Sequence, residues 1–234
     1  MNFSGKVSAS ACDSEARLSL LGAICLVQDY VSEFYGENEI DQTSMRRKFD
    51  CMWVFTKTRL KFFRPIMWNE EFEVRCYVSS VSIVKMVIET VFYINNECVM
   101  ICQIENCAVE RASQKIKRIA DVFPPELKTE KSAFDGNFER FLPQNFVSQE
   151  SFSVRSTSID YCHHTNNTEY VRFVLNSFSV SELESNPIME FEIHYLAQTH
   201  EGDKLLLCKA EMDGTNYVVI KNGDKVVTEC KLIR

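Results

Sequence analysis

Asp160, His164, Asn166 and Asn167 lie close together in the chain, between a stretch that alternates like a strand and one with helical spacing. Residues 152–157 (Phe-Ser-Val-Arg-Ser-Thr) alternate apolar and polar, and Tyr170, Phe173, Val174 and Phe178 recur at helical intervals. Asn166 or Asn167 is then an N-cap, and Asp160 and His164 sit just ahead of a helix N-terminus. Unpaired amides at a helix start carry partial positive charge and stabilise a developing oxyanion. A carboxylate beside such donors is what hydrolysis of an activated acyl group requires. The same residue types also serve as ordinary loop and cap residues, because they satisfy backbone donors.

The rest of the chain must hold this loop. In the first half, residues 5–11 alternate like a strand, residues 16–35 follow a helical pattern, and the segment 18–27 is apolar nearly all round. Such a helix requires burial on most of its surface. Strand patterns follow over 53–63, 71–82, 85–94 and 98–109, with Asn95-Asn96 as a tight turn. The second half repeats the order. A strand and a helix precede strand patterns over 188–198, 204–212, 217–221 and 225–233, with turns at Asp213-Gly214 and Asn222-Gly223. Without gaps, residues 60–63 lie over 193–196 and 69–72 over 202–205, and Asp13 lies over Asp160. Arg17 falls over His164 and Ser19 over Asn166, so the first copy lacks the imidazole and the carboxamide. Asp13 reads as a helix cap there.

Two antiparallel sheets, each wrapped around one helix, form an α+β double hotdog. Residues 1–120 make the first hotdog, 121–150 a linker marked by Phe123-Pro124-Pro125, Asp135-Gly136 and Leu142-Pro143, and 151–234 the second.

At this point the chain resembles the acyl-acyl-carrier-protein (acyl-ACP) thioesterases of bacteria and plants. The N-terminal half is similar in Arg17-Leu18-Ser19-Leu20, Gln28-Asp29 and Trp53-Val54, and the C-terminal half in Asp160, His164-Thr165-Asn166-Asn167, Tyr170 and Glu201-Gly202-Asp203. The resemblance implies catalysis in the second hotdog and an acyl pocket shaped by the first. Asp160 would act as general base or nucleophile, His164 would orient or polarise water or carbonyl, and Asn166 would hold the thioester oxygen. Asn167 and Tyr170 would flank the substrate. The family motif carries Asn two residues past the aspartate, where this chain has Cys162. Plant members carry a catalytic Glu where this chain has Gln198, a residue able to place water but not to act as a base. The expected activity is hydrolysis of the acyl thioester on acyl-carrier protein, without cofactor. An acyl-CoA thioesterase and a non-hydrolysing acyl-binding protein are the alternatives.

Several features have two readings. Cys162 beside His163 and His164 suggests a thiol nucleophile, yet most of the ten cysteines sit in apolar patterns as small core residues. No metal is expected, since adjacent residues rarely converge on one ion and only His194 and His200 remain as histidine partners. Leu20, Ile24 and Val27 line an acyl tunnel or simply pack the core. Arg46, Arg47 and Lys48, with residues 115–118, either dock the acidic carrier protein or are solvated loops.

Hydrophobic content of 45%, with 17 Phe, supplies a large core. Net charge of −7 argues against nucleic-acid binding. With no apolar run of membrane-spanning length and no signal-peptide core, the expected location is cytoplasmic, as a monomer or homodimer.

Overall fold

The computed structural model describes residues 1–124, 126–138, 141 and 145–234. The chain divides into two compact units, Met1–Asn137 and Phe138–Arg234. Of the expected linker, Pro125, Leu142 and Pro143 lie outside the described residues.

In the first unit, β1 (Asn2–Lys6) is followed by a 3-10 turn at Ala9–Ala11, then α1 (Leu20–Glu37), α2 (Gln42–Phe49), β2 (Cys51–Phe62), β3 (Glu71–Val81), β4 (Met86–Ile94) and β5 (Glu97–Glu110). The strands run antiparallel in the order β1-β3-β4-β5-β2. The helix α1 starts at Leu20 because the Ser19 side chain accepts a hydrogen bond from the Gly22 amide. It buries Leu20, Ala23, Ile24, Val27, Val31 and Phe34. Full burial of each large aliphatic side chain contributes about 1.5–3 kcal/mol. Tyr30 meets the β3 and β4 side chains Phe72 and Phe92 at ring centroids 6.2 and 6.1 Å apart. This is the apolar helix against its sheet.

The second unit contains β6 (Val147–Ser153), a 3-10 turn at Ser156–Ser158, α3 (Asn167–Leu175), α4 (Val180–Ser185), β7 (Glu190–Tyr195), β8 (Lys204–Met212), β9 (Thr215–Asn222) and β10 (Lys225–Ile233). Its antiparallel order is β7-β10-β9-β8-β6. Phe173 of α3 packs on Phe152 of β6 at 4.6 Å between centroids. Each unit is thus a sheet wrapped around a helix, and the chain is a double hotdog.

Four details differ from the sequence expectation. Residues 9–11 and 156–158 curl into 3-10 turns rather than continuing strands. The reason is shared: Ala11 O accepts the Ser19 amide at 3.0 Å and Ser158 O accepts the Asn166 amide at 2.9 Å, so each turn receives the residue that caps the following helix. The helix expected from residue 16 begins four residues later, since Ala16 has φ 57. The short helices α2 and α4 went unforeseen, although Asp41 caps the first and a Ser179–Glu182 capping box starts the second. Arg46, Arg47 and Lys48 therefore occupy the last turn of α2 rather than a loop.

Two of the three expected turns fall where the sequence places them, while Asn222 pairs with Lys225 at the end of β9 and the third turn shifts by one residue to Gly223-Asp224. Asn95 and Asn96 adopt φ 51 and 64, and Asp213 and Gly214 adopt φ 51 and 76. Gly22 is required for a different reason: a Cβ there would stand 2.2 Å from Ala11 O. Gly22→Ala is expected to destabilise the protein by about 1–3 kcal/mol, read as a lower denaturation midpoint at unchanged slope.

All ten cysteines are free thiols. Burial pushes Cys76 up to about 12 and raises Cys102 and Cys230 as well, so these thiols stay protonated and behave as small apolar side chains. Among the described residues no helix is long and apolar enough to cross a membrane.

Candidate active site

The loop between the 156–158 turn and α3 is closed by its own hydrogen bonds. Ile159 and Thr165 form a β-bridge, and the Asp160 amide donates to His164 O at 2.9 Å. Asp160 Oδ1 accepts the amides of Cys162 at 2.8 Å and His164 at 3.3 Å. His163 takes φ 64 to complete the turn. One carboxylate oxygen, Oδ1, therefore builds the loop. Position 162 contributes through its main-chain amide, which any side chain other than proline would supply. Cysteine makes that contact as asparagine would.

Asn166 is the N-cap of α3. Its Oδ1 accepts from the Thr168 amide and hydroxyl, both at 3.0 Å, so its Nδ2 is the end suited to an oxyanion. Asn167 is the first residue of the helix. The positive end of the α3 dipole thus opens beside Asp160 and His164.

His164 is half-buried and its ring meets His200 edge-on, with centroids 5.2 Å apart and planes at 67°. Burial lowers its pKa, the neighbouring His200 and His163 lower it further, and Asp160 opposes them. With its pKa lowered from the ordinary histidine value, the ring is neutral at neutral pH.

Thr165 ties the loop to the segment after β7. Its amide donates to Thr199 O at 2.9 Å, its hydroxyl lies 2.7 Å from the Thr199 hydroxyl, and that hydroxyl lies 2.7 Å from Tyr170 OH. This brings exposed Gln198 and His200, on either side of Thr199, to the Asp160 loop. Sequence reading missed Thr199 and the role of Thr165, because the two meet only through folding. The one available signal was their position inside and beside motif residues.

The structure thus gathers Asp160, Cys162, His164, Asn166, Asn167 and Tyr170 with the Gln198 segment in the second unit. Leu20, Ile24 and Val27 sit on α1, packed in the core of the first unit. Arg46, Arg47 and Lys48 are exposed on α2. His194 lies elsewhere in the second unit, 2.8 Å from Glu192 and 3.1 Å from Glu229, and stacks on Phe141 at 4.4 Å between centroids. Among the described residues no group of three His, Cys, Asp or Glu side chains is arranged to hold a metal.

The first unit repeats this loop bond for bond. Asp13 Oδ1 accepts the amides of Glu15 and Arg17, both at 2.9 Å, and the Asp13 amide donates to Arg17 O. Ala16 takes the place of His163 with positive φ, and the Leu18 amide donates to Ile66 O as Thr165 does to Thr199 O. The difference lies in the side chains: Arg17 stands where His164 stands, and its Nε binds Asp13 Oδ2 at 2.9 Å. Asp13 shapes its loop, and the helix cap expected of it is Ser19 instead.

The fold is a double hotdog, and its second unit is the part that resembles a known family. Residues 143–231 match the family model of the acyl-ACP thioesterase C-terminal domain. That match covers 89 of the 234 residues, all of them in the second unit. Among solved structures the chain is similar to an acyl-ACP thioesterase from Bacteroides thetaiotaomicron, with 16% identity and a TM-score of 0.88 over 100% of this chain and 96% of that one. A 12:0-ACP thioesterase from Umbellularia californica matches at 15% identity and a TM-score of 0.84, over 100% and 96%. At such identities these two show the shared fold. No curated protein sequence matches the chain.

Proposed function

We propose that the protein hydrolyses the fatty acyl thioester of acyl-carrier protein, with Asp160 and His164 as its catalytic residues. The observation that carries this reading is the Asp160–His164 loop at the N-terminus of α3, inside the segment matched by the family model. Water adds to the thioester carbonyl and gives its proton to Asp160 Oδ2. Neutral His164 orients the water or polarises the carbonyl. Asn166 Nδ2 and the α3 dipole hold the negative oxygen of the tetrahedral intermediate. The C–S bond then breaks, and the departing thiolate takes up the proton as the free acid is released.

Docking of an acidic carrier protein is supported by charge. Lys117 Nζ donates to Phe49 O at 3.1 Å, so the basic end of α2 and the basic segment 115–118 lie side by side in the first unit. Glu39 and Glu110 pair with Lys48 and Lys117, yet Arg46, Arg47, Lys115 and Arg118 are exposed there as well. An acidic carrier would be drawn to such a surface by long-range attraction.

Parallel assays on acyl-ACP and acyl-CoA across chain lengths test the reading. The expected result is a higher kcat/KM on acyl-ACP that falls as salt rises, since ions screen exposed charges beyond about 8 Å at physiological strength. A higher kcat/KM on acyl-CoA would point to an acyl-CoA thioesterase, and equal rates insensitive to salt would remove the carrier-docking role of the basic surface. Co-purified fatty acid without turnover of either would point to an acyl-binding protein.

A further inference from the structure

The three hydroxyls of Thr165, Tyr170 and Thr199 are almost wholly buried, at 5%, 2% and 0% exposure. One arrangement of their protons satisfies all three. Tyr170 OH donates to Thr199 Oγ1, Thr199 donates to Thr165 Oγ1, and Thr165 donates to Thr199 O, 3.1 Å away. Every hydroxyl is then satisfied, and the chain ends on a carbonyl. Burying three hydroxyls is favourable only while the network is complete, because each broken link strands a desolvated polar group.

The first unit shows that the fold itself does not need them. At the equivalent positions it carries Leu18, Ala23 and Ile66, buried at 5%, 0% and 1%. The backbone bond between the two segments is kept there, from the Leu18 amide to Ile66 O at 2.7 Å, as are the loop and the capped helix. Apolar side chains therefore close the same joint. The hydroxyl network occurs in the unit whose loop bears His164, and it links that loop through Thr165, α3 through Tyr170, and the segment carrying Gln198 and His200 through Thr199, with His200 against the His164 ring.

We infer that Thr199, through its hydroxyl bonds to Thr165 and Tyr170, is a positioning residue that holds His200 and Gln198 in register with His164. This rests on the proposed hydrolase reading for its kinetic consequence, though not for its geometric one. Loss of the hydroxyl leaves the bond from the Thr165 amide to the residue 199 carbonyl as the tie on the 198–200 segment, which fixes its position less tightly, and a displacement of about 1 Å near reacting groups costs on the order of a hundred-fold in rate.

Thr199→Val, Thr199→Ser, and the pair Tyr170→Phe with Thr199→Val test this on the full chain. Thr199→Val is expected to lower kcat at least roughly ten-fold with little change in KM, and Thr199→Ser to restore it. The double variant, which strands fewer polar groups, is expected to recover the melting temperature of wild type within a few degrees while kcat stays low. Histidine NMR titrations read the geometry without turnover: the His164 titration should shift in Thr199→Val and return in Thr199→Ser. An unmoved His164 titration, or a kcat that recovers along with stability in the double variant, would overturn the proposal. If wild type cleaves no acyl thioester, the hydrolase reading fails while the titrations still decide the positioning role.

Discussion

Asp160→Asn is expected to lower kcat for thioester hydrolysis by about a hundred-fold or more while leaving the 160–164 loop in place. The asparagine Oδ1 can accept the same two amides, from Cys162 and His164, that the carboxylate oxygen accepts now. The negative charge and the proton-accepting Oδ2 are lost. Asp160→Ala would remove both functions and so confuse a collapsed loop with a missing base. The first unit supplies the control. Asp13 makes the same pair of amide contacts without a neighbouring imidazole, and Asp13→Asn is expected to leave kcat within a few-fold of wild type. Amide chemical shifts of residues 162 and 164 report whether the loop survives. A folded Asp160→Asn protein with near-normal kcat would end the assignment of Asp160 as the catalytic carboxylate.

The second large effect concerns His164. His164→Ala is expected to lose on the order of a hundred-fold in kcat/KM. The pH profile carries the finer test. Because burial, His200 and His163 lower the pKa of His164, its neutral form survives as pH falls through the ordinary histidine value near 6.5. The acid limb of kcat/KM should therefore lie below that value, with rate lost only as pH passes through the lowered pKa. His200→Ala removes one of the lowering causes, so the limb should move upward, towards the ordinary range. Burial remains the larger cause, and the shift should be partial. An acid limb at or above about 6.5 that ignores the His200 substitution would contradict this account of the site.

Much of the candidate site's loop geometry was legible from residue types because that loop is local. An aspartate that closes a five-residue turn, a positive-φ residue before its end and an asparagine that caps the next helix are all bonded within a few positions. The doubling of the fold was legible for a similar reason: Asn69 and Gly202 both take positive φ at matching turns, and such turns leave their mark in sequence. The 3-10 turns at Ala9–Ala11 and Ser156–Ser158 were not legible, since each is set by the capping residue eight positions later. Alternation in those short stretches read as strand, and the contact that bends them is absent from any local pattern.

Residue identity alone thus decided the chemistry available: a carboxylate, an imidazole and a carboxamide ahead of a helix, in a chain whose apolar spacing dictates helix-in-sheet units. Folding alone decided which of these face one another. Thr199 reaches Thr165 across 34 positions, His200 comes to rest against His164, and Leu20, Ile24 and Val27 close the core of the first unit. Hydrogen bonds within a turn depend on neighbours in the chain, whereas the placement of an imidazole depends on strand register and on what fills the space behind it.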